Sequence, residues 1–203
     1  MRNVNVKLYE FSKLSDDVQN EIIERMKYSS ETESQYEVIS DDYIMLKESE
    51  LESYGFSDVK IAYSGFYSQG DGASFVGKIK ISDAVKLLNI VPKRKCLVDL
   101  LQDYIPIVEV YRHDFRSNHE YSVSVSIDDY ELENIEQERL KKALRDLSKE
   151  IEDKMKDFVV DFSKEVYKNL ESVYEDVHSD ANVVDILAND DTEYFEDGTV
   201  YHG

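Results

Sequence analysis

Hydrophobic and polar residues alternate in two stretches of the chain, which is the pattern of strands with one buried face. The first stretch runs from Val59 to Ile81 and is predicted to turn at Gln69-Gly70-Asp71-Gly72, because Asp-Gly favours the positive φ angles of a tight turn. The second stretch joins residues 107–111 to residues 121–127. The chain is therefore predicted to form two β-hairpins.

Apolar residues spaced by three or four positions predict helices in other parts of the chain. A first helix is expected over about 15–28, with Ser15 as its N-cap. The polar run 29–35 is predicted to be a loop. A second helix is then expected to start at residue 41 or 42 and to stop at Gly55.

The longest periodic pattern lies in the C-terminal half, where no glycine or proline occurs between Ile107 and Asp197. One helix over about 133–178 would extend ~69 Å. A compact chain of this length has a radius of gyration of only ~17 Å. We therefore expect the helix either to break, near 154–160, or to project and pair with something, and core packing is its predicted role.

These patterns predict an α+β fold. Its antiparallel sheet consists of the two hairpins plus an N-terminal strand from Val4 to Tyr9, and it is covered by helices that include the long C-terminal helical region. Three apolar residues of that region are expected to pack on the sheet: Phe158, Phe162 and Leu170. A single domain over 1–203 is predicted, with an acidic tail at 179–203.

Charge is distributed unevenly along the chain, whose net charge is −20. Residues 61–100 carry 3 acids and 6 bases, whereas residues 171–203 carry 10 acids and no Lys or Arg. A field of this sign repels phosphates, so direct nucleic-acid binding is not expected. The charge predicts a partner protein with a basic surface, or it serves solubility alone.

Composition also indicates the compartment. No stretch approaches the ~20 apolar residues that cross a bilayer, and the first 13 residues lack the apolar run of a signal peptide. The single cysteine, Cys96, is expected to be a small buried hydrophobe and suits a reducing compartment. A cytoplasmic protein without membrane contact is predicted.

The glycine-rich turn and the connection of the second hairpin contain the candidate binding residues. Asp71 lies between two glycines, where it could bind a cation or orient a hydroxyl, or could simply be a turn residue. Arg112 and Arg116 suit recognition of a carboxylate or phosphate, although ion pairs with acids are the commoner outcome. The predicted binding residues are Ser64, Ser68, Gln69, Asp71, Ser74, Arg112, Arg116 and His119.

Known catalytic patterns are absent from the sequence, which contains no GxxxxGK[ST], GxSxG or HExxH motif. His113 and His119 could meet to hold a metal, but without a third convincing ligand all four histidines are expected to be exposed loop residues. No catalytic residue, metal or cofactor is predicted.

The chain resembles a family of small acidic bacteriophage and prophage proteins, some of which are labelled antitoxin-like. The resemblance rests on Ser64-Gly65-Phe66-Tyr67-Ser68-Gln69-Gly70-Asp71-Gly72-Ala73-Ser74-Phe75, with weaker matches at 7–15 and 188–198. The family's Tyr-His pair corresponds only loosely to His119-Glu120-Tyr121. This resemblance implies a bacterial host cytoplasm and a host or phage protein as partner.

Three classes of function follow from these observations. The first is a phage- or prophage-encoded acidic protein-interaction module, for example an inhibitor of a host defence or nucleic-acid-handling protein. The second is a protein or enzyme that binds a small polar ligand at the glycine-rich loop. The third is an antitoxin-like protein.

Overall fold

A computed structural model describes residues 6–92, 96–114 and 116–202. In chain order its strands and helices are β1 (Tyr9–Glu10), α1 (Asp16–Met26), α2 (Ser30–Ser53), β2 (Phe56–Ser64), β3 (Gly72–Lys80), α3 (Ile81–Leu87), α4 (Cys96–Tyr104), β4 (Ile107–Arg112), β5 (Val123–Ser126), α5 (Glu138–Val177), α6 (Asp180–Asn189) and β6 (Glu193–Tyr194). Short 3-10 helices cover Phe11–Lys13, Glu120–Ser122 and Tyr130–Asn134.

The chain divides into two compact units. The residues up to Asp42 and those from Leu170 onward form one, which we call the terminal unit, and Tyr43–Asn169 form the other, the central unit. Helices α2 and α5 each contribute residues to both units. The α+β class is confirmed, whereas the expectation of a single domain stays a prediction.

The central unit contains a four-stranded antiparallel sheet in the order β2-β3-β4-β5. Ser64 pairs with Gly72 at the end of the first hairpin, and Arg112 pairs with Val123 at the end of the second. Both predicted hairpins are therefore confirmed by their strand pairing. Burial alternates along β4 and β5, as expected for one buried and one open face, whereas in β3 the four residues from Gly72 to Phe75 are all buried.

The turn of the first hairpin differs from the expected tight Asp-Gly turn. Ser64 and Gly72 are the last paired residues, so the connection is a longer loop over 65–71. The residues with positive φ in this loop are Gly65, at 36°, and Gly70, at 103°. The dipeptide rule failed here because Gly72 continues the strand and Asp71 serves as a hydrogen-bond acceptor within the loop.

A cluster of four phenyl rings joins the sheet to α5. The Phe75 ring lies 5.5 Å from that of Phe56 and 5.4 Å from that of Phe162, while Phe158 stacks on Phe56 at 6.2 Å. Offset and edge-to-face ring contacts at these distances add to the burial of apolar area. The predicted packing of Phe158 and Phe162 on the sheet is confirmed. Leu170 is fully buried but belongs to the terminal unit.

Helix α5 is continuous over its 40 residues, so the first of the two expected alternatives, a break near 154–160, does not occur. Buried side chains recur along it at helical spacing in the central unit: Leu144, Leu147, Ile151, Met155, Val159, Phe162 and Val166. The stripe then continues into the terminal unit with Leu170 and Val177. The expectation of a break assumed one compact body, whereas the helix supplies core residues to two units.

Helix α2 begins at Ser30, so the loop predicted over 29–35 is wrong. The Ser29 hydroxyl accepts a hydrogen bond from the Thr32 amide at 3.3 Å, and Glu31 and Glu33 lie in the first turn, where they complement the helix dipole. The N-terminal part of α2 has no apolar periodicity in the sequence, because its buried positions are Thr32, Tyr36 and Ser40.

The terminal unit has its own small sheet, in which β1 pairs antiparallel with β6. Within the part of the chain that the structure describes, the opening strand therefore comprises Tyr9–Glu10 and does not join the main sheet. The apolar residues of the tail pack against those of the N-terminal segment, in a cluster of Phe11, Leu14, Ile22, Ile23, Val183, Leu187 and Tyr194. This long-range packing explains where β1 pairs.

Val4, Phe115 and the basic triplet 93–95 lie outside the described residues.

Replacement of Phe75 by Ala is expected to lower the free energy of unfolding by about 3–5 kcal/mol, because a buried phenyl ring leaves a cavity that neighbours fill only in part. Phe75 is 1% exposed and touches three other phenyl rings. Urea unfolding measures the change. Tyr130→Ala is the control, since Tyr130 is exposed and its loss should change stability by less than about 0.5 kcal/mol. Equal effects of the two variants would contradict the cluster's role.

Candidate functional site

Two loops meet at one edge of the main sheet, and together they contain most of the predicted binding residues. The first covers 65–71 and connects β2 to β3, and the second, whose described residues are 113–114 and 116–119, follows β4. Because β2 to β5 are consecutive antiparallel neighbours in the sheet, both hairpin connections emerge from the same edge. We call these segments, with the adjoining Glu120–Ser122 turn, the loop pair.

Side chains of the second loop bind the backbone of the first hairpin. The Ser117 hydroxyl donates a hydrogen bond to the Gly70 carbonyl at 2.8 Å, and the Asn118 amide donates to the Tyr63 carbonyl at 2.9 Å. Sequence analysis missed both residues, although Ser and Asn in an irregular segment are typical donors to backbone. The two stretches that are unusual in sequence are therefore one feature in space.

Gly72 allows the two loops to approach closely. A Cβ atom at this position would lie 2.8 Å from the His119 Cα and 3.2 Å from its Cδ2. Backbone cannot yield as a flexible side chain can, so any residue other than glycine would separate the segments. The glycine at this position is required by packing, since its φ is not among the positive ones.

Asp71 holds the shape of the first loop. Its Oδ2 accepts hydrogen bonds from the backbone amides of Tyr67, at 3.0 Å, and Ser68, at 2.6 Å. The Phe66 ring also lies 5.5 Å from the ring of Tyr167 on α5. The carboxylate is thus directed into its own loop, which favours the interpretation of Asp71 as a turn residue.

Arg116 forms an ion pair within the second loop. Its guanidinium donates to Asp114 through Nε at 3.1 Å and Nη2 at 3.3 Å, and its backbone amide donates to the same carboxylate. The side-chain hydrogen bond from Arg116 holds the pKa of Asp114 below its usual range. The pair fixes the direction of an Arg116 side chain that is otherwise 91% exposed.

Two of the predicted binding residues lie deeper. Ser74 is buried and accepts a hydrogen bond from Arg112 Nη2 at 3.3 Å. The neighbouring Ser163 hydroxyl on α5 is buried and has no hydrogen-bond partner within the described part of the chain. The space lined by these serines, Ile61 and Phe162 has no room for a water molecule. Ser74 and Arg112 therefore form a contact between β3 and β4, the strands next to the loops.

His119 is half-buried at the start of the Glu120–Ser122 turn. Its Nδ1 accepts a hydrogen bond from the Tyr121 amide at 3.3 Å and lies 3.1 Å from a carboxylate oxygen of the buried Glu120. Its ring stacks on that of Tyr121 with centroids 5.1 Å apart. These contacts orient Tyr121, which remains 63% exposed.

The outer surface of the loop pair is aromatic and polar. Three of the predicted binding residues lie here. Ser68 and Gln69 are exposed, and Ser64 is half-buried. Tyr67 is 82% exposed beside them. Sequence analysis placed Tyr67 and Tyr121 in strands and not in the site, since a tyrosine in an alternating run usually faces a core. Their exposure could not be read from the sequence pattern.

Other predicted features lie away from a shared site. The His113 Nδ1 lies 3.0 Å from the Ser124 hydroxyl, and no group of His, Cys, Asp and Glu in the described residues could hold a metal ion. His178 is buried, between the Tyr174 carbonyl at 2.8 Å and the Glu33 carboxylate at 3.2 Å, so its expected exposure is wrong. Cys96 is exposed, against the expectation of burial.

Gly72→Ala is expected to loosen the loop pair, because the added methyl group would meet the His119 backbone. Amides of 113–122 should exchange with deuterium at least about tenfold faster, which corresponds to about 1.4 kcal/mol of lost protection. Hydrogen-exchange mass spectrometry measures the effect. The control is Gln69→Ala, whose exposed side chain should leave exchange unchanged. Unchanged exchange in the glycine variant would show that the close approach is not needed.

Comparisons with known proteins give a family assignment. No curated protein and no solved structure matches the chain. No helix in the described residues is long and apolar enough to span a membrane. One family model, described as a domain of unknown function (DUF8835), matches residues 28–180, which include the main sheet and the loop pair and end at the first residue of α6. The chain therefore belongs to the DUF8835 family.

Proposed function

We propose that the protein is a phage- or prophage-encoded acidic protein-interaction module, and that it binds a host or phage protein through the loop pair. The observation that carries this proposal is a fixed loop surface from which Tyr67 and Tyr121 project into solvent. The resemblance to phage and prophage proteins supports the setting, and an inhibitor of a host defence or nucleic-acid-handling protein is the form of activity we favour.

Preorganisation of the loops supports binding. The hydrogen bonds of Ser117 and Asn118, the acceptor role of Asp71 and the Asp114–Arg116 ion pair all restrict the loops before any partner arrives. A loop that is already ordered loses less conformational entropy on association. The restricted backbone therefore suits a recognition surface better than a simple connection between strands would require.

The residue types at this surface also support a protein partner. Tyrosine offers a large contact area at low entropic cost, while Ser, Gly and Asn provide adaptable hydrogen bonds, a combination typical of antibody binding loops. Tyrosine and arginine are also enriched among residues that dominate protein interfaces. Tyr67, Tyr121 and Arg116 provide such side chains next to Ser68 and Gln69.

The lack of a cavity beneath the glycine-rich loop disfavours a small-ligand site at that loop. Small-molecule sites are concave and enclose most of the ligand. The region beneath the first hairpin, lined by Ser74, Phe75 and Ser163, holds no water-sized space. An antitoxin would be one form of the proposed activity, with a toxin as its protein partner.

The acidic tail supports a partner with a basic surface. The tail's apolar side chains, Val183, Leu187 and Tyr194, are buried in the core of the terminal unit. Its acidic residues Asp190, Asp191 and Glu193 are exposed. Carboxylates on a folded support form a fixed field that attracts a basic protein and repels phosphate backbones. We propose that this field accelerates the encounter and that the loop pair supplies specific contacts.

Site-specific photo-crosslinking tests the binding surface. A benzophenone amino acid replaces Tyr67 or Tyr121 in protein expressed in a bacterial host, and crosslinked proteins are identified by mass spectrometry. We expect one protein to be crosslinked from both loop positions. Tyr130 is the matched control, because it is an exposed tyrosine of the central unit outside the loop pair. The same protein crosslinked equally from position 130, or none shared by the two loop positions, would refute the proposal.

Salt dependence tests the role of the acidic tail once the partner is in hand. Association should slow steeply between 50 and 300 mM salt, as screening shortens from ~14 to ~6 Å. Charge reversal of Asp190, Asp191 and Glu193 to Lys should lower the on-rate at least about fivefold in stopped-flow measurements.

The control for this charge reversal keeps the net charge equal. Glu136, Asp153 and Asp157 are exposed acids of the central unit, and their replacement by Lys changes the charge of the protein by the same amount. A smaller effect of the control variant would assign the steering to the tail. Equal effects would mean that net charge alone matters, and an on-rate insensitive to salt would leave the tail as a solubility device.

A further inference from the structure

The main sheet has two outer edges, formed by β2 and β5. Side chains cap the β2 edge. The Ile61 amide donates a hydrogen bond to a carboxylate oxygen of Glu48 at 2.9 Å, and the Tyr63 carbonyl accepts one from Asn118 at 2.9 Å. Native proteins cover edge strands because unpaired amides and carbonyls pair readily with another chain. The β2 edge is therefore closed to a further strand.

The outward backbone groups of β5 belong to Val123 and Val125. The His113 amide donates a hydrogen bond to the Ser122 carbonyl at 3.0 Å, so these two residues form a hydrogen-bonded pair. Hydrogen-bonded and non-hydrogen-bonded pairs alternate along an antiparallel ladder. Ser124 therefore bonds to β4, whereas both valines direct their amides and carbonyls away from it. Within the described part of the chain, no group hydrogen-bonds to these outward amides and carbonyls.

Solvent reaches this edge of the sheet. Val123 and Val125 are buried positions of β5, as Val108 and Val110 are of the inner strand β4. The two β5 valines are nevertheless 9% and 6% exposed, compared with 0% and 2% for the β4 valines. Because the inner strand is paired on both sides and β5 on one, the additional exposure indicates an accessible outer backbone.

The sequence along this edge is uncharged and symmetric. Residues 121–127 contain no charged residue, although 33% of the chain is charged. Edge strands are commonly protected by Lys, Pro or a β-bulge, and β5 contains none of these. The segment Ser122-Val123-Ser124-Val125-Ser126 also reads the same in both directions. An antiparallel partner with the same sequence would therefore match it residue by residue.

We propose that β5 pairs antiparallel with β5 of a second copy of this chain, across a twofold axis at Ser124. In this register Val123 of each copy lies opposite Val125 of the other, and their outward amides and carbonyls meet as hydrogen-bonded pairs. A twofold dimer requires a self-complementary surface, which the symmetric segment provides. The inference concerns the sheet edge and does not depend on the function proposed above for the loop pair.

Charges at the two ends of β5 match in the same register. Before the strand, the Lys164 Nζ lies 3.8 Å from Glu120, and the lysine side chain is 54% exposed. After the strand, Asp128 is exposed. Antiparallel pairing places position 120 of one copy opposite position 128 of the other, so each Lys164 approaches an acid of the second copy. The net charge of −20 opposes association at long range, whereas these contacts act at short range.

Sedimentation velocity of the full chain tests the pairing. A single strand contact is small beside the ~1,200–2,000 Å² of stable interfaces, so we expect a reversible dimer with a dissociation constant of about 10–500 µM. Because salt screens the repulsion between two negative copies, the dimer should tighten at least about threefold from 50 to 300 mM salt. A monomer at every concentration up to ~1 mM in both salts would refute the proposal.

A lysine on the twofold axis tests the position of the contact. Ser124→Lys places like charges opposite each other and should raise the dissociation constant at least about tenfold. Ser53→Lys is the matched control, because Ser53 is an exposed serine of the central unit outside β5 and the charge changes equally. Circular dichroism and the melting temperature check that both variants are folded. Equal dissociation constants of the two variants would place the contact elsewhere and overturn the proposal.

A disulfide test reads the register without requiring a stable dimer. The single cysteine, Cys96, is first replaced by Ser. The Cα atoms of a non-hydrogen-bonded antiparallel pair lie ~4.5 Å apart, within disulfide range, so Ser124→Cys should crosslink two copies under oxidation. Ser126 is more exposed but lies ~13 Å along the strands from its counterpart, so Ser126→Cys should crosslink at least about fivefold less on non-reducing gels. Equal or stronger crosslinking at position 126 would contradict the register.

Discussion

The contact between Phe75 of β3 and the phenyl rings of α5 is the interaction on which the central unit depends. Phe75 lies on the inner strand β3, is 1% exposed and contacts the rings of Phe158 and Phe162 in the layer between the sheet and α5. Once α5 is placed against β2 and β3, its buried residues at helical spacing fill the rest of that layer. The same helix then continues into the core of the terminal unit, which explains why so long a helix is free of glycine and proline.

The antiparallel order of the sheet determines where function can develop. Consecutive hairpins bring the 65–71 and 113–119 loops to one edge, and Gly72 lets them approach. The polar residues that look chemically promising in sequence then divide into two groups. Asp71, Ser74 and Arg112 satisfy backbone or buried groups, whereas Ser68, Gln69 and Arg116 remain at the surface with two exposed tyrosines. Structural support and the recognition role that we propose thus belong to different residues of one motif.

The high net negative charge of the chain disfavours nonspecific association of its exposed aromatic residues with other copies. A net charge of −20 opposes association between copies, and the loop pair is the surface that we propose for contact with a partner of opposite charge. We propose that specificity comes from the charge together with the aromatic loop surface, since a partner that matches only one of the two gains only part of the contact.

The sequence by itself determined the local elements, because hydrophobic periodicity and turn residues act over short separations. It predicted both hairpins, the end of α2 at Gly55 and the helical character of α5. Only the tertiary structure decided where β1 pairs, that α5 is unbroken and that α2 begins at Ser30. It also decided that His178 is buried and that Tyr67 and Tyr121 are exposed. The physical reason is that burial depends on which distant segments pack together, and an apolar residue has the same periodicity whether its face meets a core or the solvent.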